Sequence, residues 1–218
     1  MKRYVSFLVL LMTAISLQAQ DFQQFFNDST LRLDYIFAGD KKSQHIYLDQ
    51  LHKSAGWYGR RHHLDQLPLE GNGDITMKDA ATGTVIYRHS FSTLFQEWLS
   101  TAEARQTSRS FENVFLVPYP RQAVEITVTL RDYHARTMAS MTHRVNPTDI
   151  LIRRQHQQSR YTTIHAAADT ARCIHVAFVA EGYTIGQMDQ YLADCRAATE
   201  ALFRHEPFKQ LQDRFNII

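Results

Sequence analysis

From about residue 30 to residue 146, apolar and polar side chains alternate in short runs, the period-two pattern of strands with one face on a core and the other in water. Leu31, Leu33, Tyr35 and Phe37 alternate with Arg32, Asp34 and Ile36 up to Gly39-Asp40, which predicts a strand and a turn. His45 to Leu51 predicts a second strand. Gly71-Asn72-Gly73 marks a turn, and Asp74 to Lys78, the turn Asp79 to Gly83 and the return Thr84 to Ser90 predict a hairpin. Phe111 to Val117 predicts a strand stopped by Pro118-Tyr119-Pro120, because proline removes a ladder donor and restricts the residue before it. Val124, Ile126, Val128 and Leu130 alternate with Glu125, Thr127, Thr129 and Arg131, and a further strand from Thr137 to Val145 closes at Asn146-Pro147. Phe22, Phe25 and Phe26 suit one helical turn. Leu94, Phe95 and Trp98, at helical spacing, predict a short helix capping an open end of a sheet. About seven short strands without a long helix between them predict an antiparallel β-sandwich of ~120 residues. Its aromatic core is expected to include Tyr35, Phe37, Phe95, Trp98 and Phe115.

The pattern then changes. Residues Arg153 to Asp169 are polar and basic and read as a connection. Ile174 to Ala180 is a near-unbroken apolar run, as in a strand buried on both faces of a parallel sheet. Ile185, Met188, Leu192, Cys195, Thr199 and Leu202 recur at spacings of three and four, one apolar stripe of a helix, with Thr184 and Gln187 as a capping box and Glu206-Pro207 as its end. Asp213 to Ile218 begins another strand. One strand-helix-strand unit cannot cover both faces of a parallel sheet, so this part reads as the start of an α/β domain that continues beyond Ile218. The expected division is a signal peptide over 1–19, the sandwich over 20–152, the connection over 153–171 and the truncated α/β start over 172–218.

The signal peptide rests on Lys2-Arg3, the apolar stretch Tyr4 to Leu17 and the small-residue cleavage site Leu17-Gln18-Ala19. It places the protein in the periplasm or outside the cell. The apolar core is too short for a membrane span, so no membrane contact is expected after cleavage. Lys and Arg number 24 against 22 acids; losing Lys2 and Arg3 leaves 24 − 2 = 22, a formal charge of zero. That speaks against a nucleic-acid partner. The two cysteines, Cys173 and Cys195, lie ~26 Å along the strand and ~16 Å back along the helix from the intervening turn, a mismatch of ~10 Å. A disulfide needs its Cα atoms within ~7 Å, so both read as small buried hydrophobes.

Candidate chemistry is sparse. There is no His-Glu-x-x-His, the pair of ligands one helical turn apart with a general base that marks many metallohydrolases. Of the 11 histidines, His62 and His63 are adjacent and point apart, while His134 and His143 fall on different strands. No nucleophile elbow, phosphate loop or dinucleotide fingerprint is present. Trp57-Tyr58-Gly59-Arg60-Arg61-His62-His63 is a loop rich in groups that bind ligands, and reads as a Trp anchor with a solvated basic rim. Glu181 is the one well-placed carboxylate, a weak catalytic candidate at the end of a parallel strand whose duller role is to face the positive end of the following helix. No metal-ligating or cofactor-binding residue is assigned.

Glu181-Gly182-Tyr183 after the apolar strand, Phe203-x3-Pro207-Phe208 and Arg214-Phe215-Asn216 resemble the opening of the catalytic domain of the bacterial IgA-peptidase family of zinc endopeptidases. Phe37-Ala38-Gly39-Asp40, Trp57-x-Gly59-Arg60, the stretch Tyr87 to Trp98, Val117-Pro118-Tyr119-Pro120 and Asn146-Pro147-x-Asp149-Ile150-Leu151 are similar to that family's N-terminal domain. The resemblance implies a zinc-activated water attacking a peptide carbonyl, with a Glu as base and a polypeptide as substrate. The family's His-Glu-x-x-His lies further along than Ile218, so no catalytic residue carries over. Zinc is expected in the complete protein only, and this chain by itself is expected to be inactive. The alternative is a stand-alone exported β-sandwich module that binds protein or glycan, with the C-terminal part as a docking element. Nothing in the pattern sets an oligomeric state.

Overall fold

The computed structural model describes residues 22–67, 69–155 and 161–218; the expected signal peptide lies outside them. The chain divides into two compact units, 1–156 and 157–218.

In the first unit a short helix α1 (Phe22–Phe25) runs into the long strand β1 (Phe26–Gly39), followed by β2 (Gln44–Ala55), β3 (Gly73–Asp79) and β4 (Val85–Phe91). Helix α2 (Leu94–Trp98) precedes β5 (Arg109–Pro120), β6 (Val124–Arg131), β7 (Thr137–Val145) and the two-residue β8 (Arg153–Arg154). They form two four-stranded sheets, ordered β5-β1-β2-β8 and β4-β3-β6-β7. Alternation places Leu31, Leu33, Tyr35 and Phe37 of β1 fully inside. These meet the other sheet directly: the Tyr35 hydroxyl lies 2.7 Å from Nε2 of His143 on β7, and the rings of Phe91 on β4 and Phe115 on β5 are 4.4 Å apart. The unit is thus a β-sandwich with an aromatic centre, in which Phe95 is fully buried and Trp98 partly so. Thr93 caps α2, and the side chain of the buried Gln96 donates to the Asn72 carbonyl, fixing the helix over one end of the sandwich. The hairpin β3–β4 turns on Asp79, whose carboxylate accepts from the Ala81 and Thr82 backbone N–H groups, with Gly83 at φ +71°.

Two features of this unit differ from expectation. β5 is not stopped at Val117 but runs through Pro118 and Pro120, which pair with Thr30 and Phe26. β5 is an edge strand, so a proline there can turn its missing N–H away from the ladder without losing a bond to β1. In addition, Arg153–Arg154, expected as part of a connection, adds a short parallel strand to β2, beside His52 and Lys53.

The second unit contains β9 (Ile174–Val176), helix α3 (Met188–Leu202) and β10 (Phe215–Ile217), with β9 and β10 paired in parallel. Strand, helix and parallel strand therefore follow in the expected order. Thr184 donates its backbone N–H to Oε1 of Gln187 at 3.0 Å at the start of the helical segment. Cys195, Thr199, Phe215 and Ile217 form the small interior, with the rings of Phe203 and Phe208 5.7 and 6.1 Å from Phe215. The strand expected over Ile174 to Ala180 is corrected to three residues, and it is not buried on both faces: Ile174 is 52% and Val179 81% exposed. A two-stranded pair gives these side chains little to pack against among the described residues. Cys195 is buried as expected, whereas Cys173 is only half-buried, and both are free thiols. No helix among the described residues is long and apolar enough to cross a membrane.

Candidate functional site

An open groove of about 580 Å³ runs along the side of the first unit where the edge strands β4 and β5 approach each other. The loop from Trp57 to Leu67 makes one wall by crossing the edge of β4. An edge strand presents unpaired N–H and C=O groups, and here the loop satisfies them at Arg88. The Arg88 N–H donates to the Leu64 carbonyl at 2.7 Å, and the Arg60 guanidinium donates to the Arg88 carbonyl. The same guanidinium donates to the carbonyls of His63 at 2.8 Å and Leu64 at 3.2 Å and lies 5.5 Å from the Tyr87 ring centroid. Leu64 is inserted into the core at 1% exposure. Trp57 is also buried; its backbone N–H is held by Asp28 and its indole N–H by the Arg60 carbonyl. Gly59 is required beside it, since a Cβ there would lie 2.3 Å from the Trp57 ring.

The expected solvated basic rim is therefore split. Arg60 turns inward and clips the loop to β4, while Arg61 makes a 2.5 Å ion pair with the exposed Asp28 and lies over the Phe22 ring. His62 and His63 are exposed on the same loop. The floor of the groove is Trp57 and Tyr87, and its rim carries exposed apolar groups from three places: Tyr58 at 70%, Leu69 at 81% and Leu116 of β5 at 54%. Arg60 and Arg88 line it and no Asp or Glu does. Among the described residues neither arginine has a carboxylate within 4 Å. Burial, aided by the Arg60 charge, holds His89 below the usual histidine range, and burial raises the Tyr87 hydroxyl. The groove is thus apolar, cationic and free of negative side chains. Leu116 and Arg88 were not singled out by pattern. The signal for Leu116 was the run Val114-Phe115-Leu116-Val117, apolar on both faces of a strand otherwise expected to alternate.

The remaining candidates are scattered. His134 lies exposed in the turn after β6 with its ring 3.9 Å from that of Tyr133, and His143 is engaged with Tyr35 inside the sandwich. In the second unit Cys173 Sγ lies 3.5 Å from Nε2 of His175, two groups where a zinc site needs at least three protein ligands. Among the described residues no three His, Cys, Asp or Glu side chains gather, so these residues do not fit a zinc site. Glu181 is exposed, five positions beyond the end of β9; its backbone N–H donates to the Val179 carbonyl at 2.9 Å, and Gly182 follows at φ +80°.

A family model described as the peptidase M64 N-terminus matches residues 21–142, which span the sandwich from α1 into β7. No curated protein matches the chain.

Proposed function

The chain belongs to the peptidase M64 family, the IgA-peptidase family, and carries its N-terminal domain; from that premise we propose that it is the non-catalytic N-terminal portion of an exported zinc-dependent endopeptidase acting on polypeptides. The observation that carries this reading is the match over 21–142 falling on the sandwich from α1 into β7, a unit with its own core. The catalytic machinery then resides in residues other than these. Support comes from the lack of His-Glu-x-x-His in the sequence and from the dispersal of its histidines over separate loops and strands. The parallel β9–β10 pair with α3 between them supports reading residues 172–218 as the opening of an α/β domain. In that arrangement the sandwich precedes the peptidase domain and travels with it through export, guided by the basic and apolar residues 2–17.

Two measurements test the reading. The secreted protein is expected to begin at Gln20 by intact mass; retention of Met1 refutes export with cleavage. The purified chain is expected to take up no stoichiometric zinc by calorimetric titration and to leave casein intact with or without added zinc. Proteolysis that a chelator abolishes would place the catalytic centre within this chain and refute the proposed division.

A further inference from the structure

We propose that the groove between the β4 and β5 edges is a docking site for an extended, acidic polypeptide segment. This stands on the groove alone and does not depend on the peptidase reading. Extension follows from what borders it. β5 has β1 as its one strand neighbour among the described residues, and Val114 and Leu116 project from the same side of it at 50% and 54% exposure. Side chains two apart on a strand are ~7 Å apart, the repeat with which alternate residues of another extended chain meet them. Pro118, which pairs with the groove-lining Thr30, and Pro120 offer no N–H on that edge, so its open backbone donors lie toward Leu116 and Val114. The β4 edge opposite is already occupied at Arg88 by the Trp57–Leu67 loop, so the segment is guided by one open edge and one closed wall.

Acidic character follows from charge. Arg60 and Arg88 enter the lining without a carboxylate partner within reach among the described residues, and Arg60 is held there by three backbone carbonyls. A carboxylate on the incoming segment completes this charge set, and apolar residues between its acids cover Tyr58, Leu69 and Leu116. A sugar is the poorer fit. It stacks on the open face of an aromatic ring, and here Trp57 is 8% and Tyr87 3% exposed.

The test measures fluorescence polarisation of a labelled, blocked decapeptide of alternating Glu and Val against the full chain, with the Lys-Val decapeptide and cellohexaose as competitors. Saturable binding is expected that weakens from about 50 to 300 mM salt, with no competition from either competitor. Arg88→Glu and Leu116→Asp each change an incompletely buried side chain and are expected to weaken binding by about tenfold or more at an unchanged melting temperature. Arg88→Gln gives a milder loss of the same kind if either substitution disturbs the fold. No saturable binding, equal binding of the Lys-Val peptide, or affinity untouched by both substitutions overturns the proposal. Displacement by cellohexaose would assign the groove to glycans and overturn it as well.

Discussion

Arg60→Ala is expected to destabilise the sandwich more than Arg61→Ala, although the two residues are adjacent and chemically alike. Arg60 donates to the carbonyls of His63, Leu64 and Arg88, the last on an edge strand with no strand partner on that side among the described residues. A hydrogen bond from a charged donor contributes about 1.5–3 kcal/mol when its acceptor is shielded, which sets a ceiling near 4.5–9 kcal/mol for the three. Water replaces part of this, because the groove is open to solvent and the guanidinium is not fully buried. A loss of about 2–3 kcal/mol remains after that discount. Arg61 pairs with an Asp28 side chain that is 67% exposed, a contribution of about 0–1 kcal/mol, and its one bond to the Trp57 carbonyl at 3.1 Å and its place over the Phe22 ring bring the whole to about 1–2 kcal/mol. Urea unfolding followed by tryptophan fluorescence measures both, with unchanged slopes as the check that only native-state stability has moved. Trp57 remains a fair reporter in Arg60→Ala, because its indole bonds the backbone carbonyl of residue 60 and not its side chain. Arg60→Lys should fall between, keeping the charge but losing the planar fork. Hydrogen exchange at the Arg88 amide should accelerate in Arg60→Ala, since the Leu64 carbonyl that holds it is released. Equal costs for the two alanine variants would refute the assignment of Arg60 as the clip.

Phe37 is fully buried against the rings of Tyr35, Phe91, Phe95 and Phe115, so Phe37→Ala is expected to cost about 3–5 kcal/mol by denaturant unfolding, and a cost below about 1 kcal/mol would contradict the core described. Burial depresses His143 below its ordinary 6.5, so the fold keeps it neutral while the unfolded chain takes up a proton; its contribution is full above that value and is lost as pH falls through the folded value. Thermal melts from about pH 7.5 to pH 5 should show this loss, and a His143→Asn variant should show less of it. A fragment of residues 20–156 is expected to unfold cooperatively at the midpoint the intact chain shows for its sandwich, because that unit has its own core; a non-cooperative, protease-sensitive product would refute its independence.

What the sequence by itself determined is local. Side-chain period and turn residues depend on the nearest few positions, so β1, β2, the β3–β4 hairpin, β6 and β7 were legible, as were α2, α3 and the aromatic centre around Tyr35 and Phe37. The tertiary structure decided whatever depends on a residue's distant neighbours. Pro118 and Pro120 stay within β5 because that strand lies at an edge, and no local pattern states which strands are edges. Ile174 and Val179 read as doubly buried, yet burial requires layers on both sides, and α3 and β10 supply too little of them. The groove is the strongest case. Arg60 and Arg88 are 28 positions apart, and Leu116 lies on the other sheet. Their common surface exists because two edges from different sheets stand side by side, an arrangement set by how the two apolar faces stack and not by the period of any one strand.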